Sequence, residues 1–125
     1  MTDKNIHQLA VITGGASGIG LSAVKRFLNE GYKVLILDAN KDAGEEAVKN
    51  LKSDTCDVNF IHCDITNHTQ IEKIFQDLLA DNQPAHVLVN CAGISPALSP
   101  LHQYPVEEWH RTIDINLHGT FYACR

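Results

Sequence analysis

The stretch that decides the fold of this chain is LAVITGGASGIG, residues 9–20. Its first part, Leu9 to Thr13, is an apolar run without polar alternation, which is typical of a strand covered on both faces of a parallel sheet. A glycine-rich turn follows, and after it apolar residues recur at helical spacing: Ile19, Ala23, Val24, Phe27 and Leu28. Residues 9–28 are therefore predicted to form a strand, a turn and a helix with one apolar stripe.

Three more units of this kind follow along the chain. Their predicted strands are Lys33 to Asp38, Val58 to Cys63 and His86 to Asn90. The third helix has the clearest apolar repeat: Ile71, Ile74, Phe75, Leu78 and Leu79. Residues 106–125 are predicted as a helix with its stripe at Trp109, Ile113, Asn116, Leu117 and Thr120. We therefore predict an α/β fold, a Rossmann-type doubly wound parallel sheet, in one domain spanning residues 1–125.

The composition excludes several classes of protein. The chain has 10 Lys or Arg and 15 Asp or Glu, and the resulting net charge of −5 argues against a general nucleic-acid or anionic-membrane binder. No apolar run reaches the roughly 18–20 residues that cross a bilayer, and Met1 to Asn5 lacks the order of a signal peptide, so a cytoplasmic location is expected. The His and Cys residues at 56–68 lack zinc-ligand spacing, and no metal is expected.

The turn after the first strand has the features of an anion site. Strand, glycine-rich turn and helix together bind pyrophosphates, because backbone N–H groups at the helix N-terminus point toward the anion. Gly18-x-Gly20-x-x-Ala23 satisfies the general dinucleotide pattern. Alone this match is weak, since a glycine-rich connector without a ligand would look the same.

A carboxylate at the end of the second strand strengthens the prediction. Asp38 lies 38 − 18 = 20 residues after Gly18, which is the distance expected of the residue that binds the adenosine ribose hydroxyls. A carboxylate there would repel a 2′-phosphate, so it favours NAD over NADP. A lone Asp at a strand end is more often a helix cap, but the two features together favour a cofactor site. Lys41 is near enough to keep NADP open as the second choice.

At these residues the sequence resembles the N-terminal, cofactor-binding portion of the classical short-chain dehydrogenase/reductase family. The family pattern Thr-Gly-x-x-x-Gly-x-Gly is matched by Thr13, Gly14, Gly18 and Gly20, and its Asn-x-Ala-Gly by Asn90, Ala92 and Gly93. Asp64 matches an Asp that contacts adenine, and Asn116 matches the Asn of the family's catalytic tetrad. These landmarks occur in the family's order between about Leu9 and Arg125.

The resemblance implies a role for each matched position. It implies that Gly14, Gly18 and Ile19 surround the pyrophosphate, Asp64 and Ile65 flank the adenine, and residues 90–93 line the nicotinamide side. The residues expected at the cofactor are Thr13, Gly14, Ser17, Gly18, Ile19, Gly20, Asp38, Asp64, Ile65, Asn90, Ala92 and Gly93. Asn116 is expected to be catalytic: it would distort its helix and, through water, help to position a catalytic lysine.

The family's remaining catalytic residues, a Ser and a Tyr-x-x-x-Lys, have no match here. Tyr32 is followed four residues later by Ile36, Tyr104 by Glu108, and Tyr122 would need a residue 126. A carbonyl reduction needs a proton donor at the developing alkoxide, so the 125-residue chain is expected to be inactive. The resemblance also implies a sheet in the order 3-2-1-4 that is truncated after about four βα units, with the catalytic half missing and the fourth strand at an edge.

The leading hypothesis is a parent NAD(P)-dependent oxidoreductase that transfers a hydride between a nicotinamide cofactor and an alcohol or carbonyl of a small-molecule substrate. A 3-oxoacyl-ACP-reductase-like enzyme is one kind that fits, and family members imply a homo-oligomer. The alternative is a non-catalytic dinucleotide-binding module or interaction protein. A methyltransferase on the same fold is a third hypothesis, but the Thr13 turn together with Asn90 to Gly93 points away from it.

Overall fold

Residues 8–125 are described by the computed structural model, and the expectation about Met1 to Asn5 lies outside them. Alternating strands and helices run along the chain: β1 (Leu9–Thr13), α1 (Gly18–Asn29), β2 (Lys33–Asp38), α2 (Lys41–Leu51), β3 (Val58–His62), α3 (His68–Ala80) and β4 (Ala85–Asn90). A short 3-10 turn at Leu101–Gln103 precedes α4 (Val106–Ile113), a π-helical segment (Asp114–Gly119) and α5 (Thr120–Cys124). The predicted strand boundaries differ from these by one residue in β3 and β4.

The four strands form one parallel sheet in the order β3-β2-β1-β4, which confirms the predicted topology. β1 lies in the middle and pairs on both sides: Ala10 is beside Val34 of β2 and Val87 of β4. Every residue of β1 is buried because helices cover both faces of the sheet. Among the described residues β3 and β4 are the two edge strands, and the edge position of β4 was expected.

The core has two layers, one on each face of the sheet, because side chains alternate along a strand. On one face, Leu9, Val11, Leu35 and Leu37 pack with Ile71 and Ile74 of α3 and with Ala123 of α5. On the other face lie Ala10, Ile12, Val34, Ile36 and the inner residues Val24, Leu28 and Ala47 of α1 and α2. This arrangement explains why β1 and β2 lack polar alternation.

The prediction that Ile19 and Leu79 lie on the inner faces of their helices is wrong, because both residues belong to helix ends outside the core. Ile19 is 83% exposed, since the first turn of α1 faces the cleft at the end of the sheet and not the sheet itself. Leu79, in the last turn of α3, is 66% exposed. The inner residues of both helices are buried as predicted.

The predicted stripe of the last helical segment is also wrong. Gly119 and Ala123 are its buried residues, whereas Trp109 and Leu117 of the predicted stripe are 53% and 59% exposed. The π-helical turn at 114–119 is the cause, because it holds more residues per turn than an α-helix and shifts the helical phase of everything that follows. A 3.6-residue repeat therefore cannot predict the inner face on both sides of it.

We expect Ile36→Ala to lower the free energy of unfolding by about 2–5 kcal/mol, because Ile36 is fully buried and its truncation leaves a cavity. Leu98→Ala is the matched control at a fully exposed position and should change it by less than about 0.5 kcal/mol. Urea unfolding followed by circular dichroism measures both changes. If the alanine variant does not fold, Ile36→Val replaces it, with an expected loss of about 0.5–1.5 kcal/mol in the free energy of unfolding. Equal effects at positions 36 and 98 would contradict the assigned core.

Candidate functional site

A cleft of about 490 Å³ opens at the carboxyl ends of the strands, where open α/β sheets bind their ligands. It brings together ten of the thirteen residues named from the sequence: Gly14, Ser17, Gly18, Ile19, Gly20, Asp38, Asp64, Ile65, Ala92 and Gly93. Thr13, Asn90 and Asn116 are not among its lining residues. The cleft is formed by segments that follow four different strands.

The glycine turn brings the end of β1 close to the segment after β4. Gly14 has φ +64°, and a Cβ there would stand 2.7 Å from the backbone nitrogen of Ala92. A Cβ at Gly20 would overlap the carbonyl oxygen of Gly14. Side chains at either position would therefore push α1 or the β4 segment away from the turn.

The N-terminus of α1 is not capped by a side chain. Ser17 is at the N-cap position and makes no capping hydrogen bond, and the first turn has no acidic residue. By contrast, Asn40 and Asn67 cap α2 and α3, accepting hydrogen bonds from Ala43 and Gln70 backbone N–H groups at 3.0 and 3.1 Å. The first N–H groups of a helix have no partner within it, so those of α1 are available to an anion in the cleft.

Asp38 connects β2 to the glycine turn. Its Oδ2 accepts a hydrogen bond from the Ala16 backbone N–H at 3.0 Å, and its Oδ1 accepts one from the Asn40 N–H at 2.9 Å. A carboxylate offers about four acceptor positions, so two remain for a ligand. The residue is both a part of the turn and an acceptor in the cleft.

Asp64 and Ile65 follow β3 and line the cleft opposite the glycine turn. Asp64 Oδ1 accepts hydrogen bonds from the Thr66 N–H at 2.9 Å and the Thr66 hydroxyl at 2.7 Å, which leaves Oδ2 without a partner among residues 8–125. Ile65 is buried, and a Cβ at Gly119 would lie 2.6 Å from its Cγ2. The π-helical segment thus packs directly against one wall of the cleft.

Thr13, at the end of β1, binds the segment that follows β4. Its hydroxyl oxygen accepts hydrogen bonds from the backbone N–H groups of Cys91 and Ala92, both at 3.2 Å, and the residue is almost completely buried. The Cys91 N–H also donates to the Thr13 backbone carbonyl at 3.2 Å, so the main chain and the side chain of Thr13 both bind the start of this segment. This contact holds the Asn90 to Gly93 segment over the turn.

Asn116 lies in the π-helical segment, so the expected distortion of its helix is confirmed. Its Oδ1 accepts a hydrogen bond from the Ile94 N–H at 2.8 Å, and its Nδ2 donates to the Ile94 carbonyl at 2.9 Å. Asn90 Nδ2 donates to the Cys124 Sγ at 3.4 Å. Asn116 therefore joins the segment after β4 to the last helical segment, and Asn90 joins the end of β4 to it.

Several lining residues were not found from the sequence, among them Ile94, Arg111 and Ile115. Arg111 is the one cation among the described lining residues, and its contact with Glu108 at 3.7 Å is exposed and therefore weak. Arg111 and Ile115 are four residues apart on one helix face, next to Asn116. They could have been found only if the phase of that helix had been known.

A second cavity, of about 470 Å³, lies away from the glycine turn between α3, β4 and α5. Its lining is largely apolar, with Ile71, Phe75 and Leu88, and contains none of the residues predicted to bind a cofactor. Among residues 8–125, no three His, Cys, Asp or Glu side chains are grouped to hold a metal ion. No helix in that part of the chain is long and apolar enough to span a membrane.

Comparison with known proteins gives consistent matches. A family model described as short chain dehydrogenase matches residues 8–125. The NADP-dependent (R)-specific alcohol dehydrogenase of Lentilactobacillus kefiri is 34% identical over 125 residues, all of this chain and 49% of that protein. The 2-dehydro-3-deoxy-L-rhamnonate dehydrogenase (NAD(+)) of a Sphingomonas species is 34% identical over 93% of this chain and 45% of its own. The chain spans about half the length of the curated relatives it matches.

Solved structures agree with these relatives. A short chain dehydrogenase from Bacillus anthracis superposes with a TM-score of 0.87 at 28% identity, covering 95% of this chain and 47% of that one. A 3-ketoacyl-ACP reductase from Sinorhizobium meliloti gives a TM-score of 0.85 at 27% identity, with 93% and 46% covered. These structures share the parallel sheet and its flanking helices, so the predicted Rossmann-type fold is confirmed.

Cys63 is predicted to be unreactive although it lines the cleft. Burial, with a smaller effect of the negative charge of Asp64, raises the pKa of its thiol from 9.0 to about 11. At pH 8 its thiolate fraction is then about 100-fold lower than that of an unshifted cysteine. Iodoacetamide followed by peptide mass spectrometry should modify the exposed Cys124 and leave Cys63 unmodified until the pH approaches 11 or a denaturant is added. Equal rates at Cys63 and Cys124 in the folded protein would contradict this.

Proposed function

The chain belongs to the short-chain dehydrogenase family, and from that premise we propose that its parent protein is an NAD(P)-dependent oxidoreductase acting on a small-molecule alcohol or carbonyl compound. A bound nicotinamide cofactor would accept or donate the hydride. Residues 8–125 supply its binding site, and the parent protein supplies the rest of the catalytic machinery. A 3-oxoacyl-ACP-reductase-like enzyme is one form of this proposal.

The observation that supports the proposal most is the uncapped N-terminus of α1 facing the cleft. There the cofactor pyrophosphate would accept hydrogen bonds from the backbone N–H groups that no side chain satisfies. The absence of a side chain at Gly14 and Gly20 leaves the turn close to both α1 and the β4 segment. The adenine would lie against Asp64 and Ile65, and the nicotinamide beside the Asn90 to Gly93 segment.

NAD is the proposed cofactor because Asp38 has free acceptor positions for two ribose hydroxyls and would repel a 2′-phosphate. Lys41 is the cation that keeps NADP as the second choice. Its Nζ lies 3.9 Å from Glu45 Oε1, and both side chains are exposed on α2. The relatives include proteins named for NADP and for NAD, so they do not distinguish the two cofactors. The proposed preference for NAD therefore rests on Asp38.

Asn116 is proposed to position the reaction site and to supply the relay to a catalytic lysine in the parent protein. Its two bonds to Ile94 fix the segment that follows Gly93. A proton donor is still required, and no tyrosine in these 125 residues is followed four positions later by a lysine. We therefore propose that this 125-residue chain binds cofactor without reducing carbonyl compounds by itself.

The remaining predictions about the parent protein concern its partners and location. A homo-oligomer is proposed, with Trp109, Leu117 and Phe121 as exposed apolar residues on the last helical segment that a second copy could cover. A cytoplasmic location stays a prediction from the sequence. The alternative, a non-catalytic dinucleotide-binding module, is distinguished by the coding sequence beyond residue 125, where the proposal requires a Ser and a Tyr-x-x-x-Lys.

We expect the chain to bind NADH and to bind NADPH at least about tenfold more weakly, as measured by fluorescence titration. Asp38→Asn should weaken NADH binding by about tenfold, because a neutral amide accepts fewer and weaker hydrogen bonds from the ribose. Asp54→Asn, the same charge change at an exposed turn position, is the matched control and should leave both affinities unchanged. A ketone added to the NADH complex should cause no NADH oxidation.

Two outcomes would contradict the proposal. Binding of S-adenosylmethionine without NADH would favour a methyltransferase on the same fold. Equal losses of NADH affinity in Asp38→Asn and Asp54→Asn would show that overall charge, and not the ribose contact, determines binding.

A further inference from the structure

The turn between β2 and α2 forms the cleft wall next to Asp38. Ala39 and Asn40 both line the cleft, and both are exposed. Local contacts hold only the second of them: Asn40 donates its N–H to Asp38 Oδ1, and its side chain caps α2 at Ala43. The methyl side chain of Ala39 cannot hydrogen-bond within the turn, and the carbonyl of Ala39 has its partner elsewhere in the chain.

His62 supplies that partner from the next strand. Its Nε2 lies 2.9 Å from the carbonyl oxygen of Ala39, 23 residues earlier in the chain. A carbonyl oxygen can only accept, so Nε2 carries the hydrogen and donates. His62 is also the register partner of Asp38 at the ends of β3 and β2.

His62 is itself fixed by the helix that follows. The Gln70 side chain donates from Nε2 to the His62 carbonyl at 2.8 Å, and Gln70 lies in the first turn of α3. A continuous series of hydrogen bonds thus runs from α3 through the end of β3 to the turn after Asp38. Its last member is the peptide that borders the ribose position of the proposed cofactor.

We propose that His62 is a positioning residue for the adenosine ribose of the dinucleotide, acting through Ala39. This inference rests on the proposed function. With the Ala39 carbonyl held by His62, the turn keeps one conformation, in which Asp38 faces the ribose. A 2′-phosphate would meet the carboxylate of Asp38, and a turn fixed in this conformation keeps that carboxylate at the ribose. His62 therefore increases NAD affinity and also the discrimination against NADP.

The position of His62 separates this role from a contribution to the core. The residue is exposed, and β3 is the other edge strand of the described sheet, so removing the imidazole opens no cavity. A purely structural role would change the unfolding midpoint and weaken NADH and NADPH together. A positioning role at the ribose changes the ratio of their two dissociation constants.

The test compares His62→Leu, which removes the donor, with His62→Gln, whose amide nitrogen can still donate to Ala39. His110→Leu makes the same change at an exposed position of α4 and is the matched control. Fluorescence titration gives the dissociation constants for NADH and NADPH, and thermal unfolding without ligand gives the midpoint.

We expect His62→Leu to raise the dissociation constant for NADH about five- to tenfold, the effect of one lost hydrogen bond. The ratio of the NADPH to the NADH dissociation constant should fall about threefold or more. His62→Gln should stay within about twofold of the original protein in both quantities, and His110→Leu should not differ from it.

An unchanged ratio in His62→Leu overturns the inference while leaving the proposed function intact, whether NADH affinity is unchanged or both affinities fall equally. If the original protein binds neither NADH nor NADPH, the proposed function fails and the inference fails with it. A loss of selectivity in His62→Gln as large as in His62→Leu would also overturn the inference, because the donor to Ala39 would then not be what matters.

Discussion

The contact between the end of β1 and the segment after β4 is the constraint on which the rest of the cleft depends. Thr13 provides the hydroxyl that accepts two backbone N–H groups there, and Gly14 leaves no room for a Cβ beside Ala92. β1 is covered on both faces and paired on both sides, so its end cannot move separately from the sheet. The N-terminus of α1 and the β4 segment are consequently held opposite each other on a rigid base.

An acidic protein with a site suited to an anion needs a local source of positive potential. The net charge is −5, and two of the three charged lining residues, Asp38 and Asp64, are negative. The backbone supplies the donors, since the α1 N-terminus has neither a side-chain cap nor an acidic first turn. The two carboxylates are placed where hydroxyl and amino groups are expected, so charge and ligand chemistry agree along the cleft.

Much of the fold and of the candidate site could be predicted because the signals are local. An apolar run without alternation, a glycine turn and a carboxylate 20 residues later each occur within a short stretch, and β1, α1 and Asp38 were found from them. The misses have two physical origins. The helical repeat places Ile19 on the apolar stripe although the residue lines the cleft, because such a repeat does not distinguish a face toward the sheet from a face toward the cleft. His62 was missed because its partner, Ala39, is distant in sequence. Arg111 was missed because the rotation of its helix, which brings it to the cleft, cannot be predicted from the apolar repeat.

The π-helical segment lets the last helical segment hold one residue more than a regular helix would over the same rotation. Deleting one residue between 114 and 119 would therefore restore a regular helix and leave the residues that follow in nearly the same rotation. Each residue of an α-helix turns the chain by about 100°, so a further residue inserted before Gly119 would rotate all that follows. Gly119 would then leave its place against Ile65, and Ala123 would leave the core. Insertions should therefore accumulate at residues 97–103, which are all exposed, and be rejected within this single helical turn.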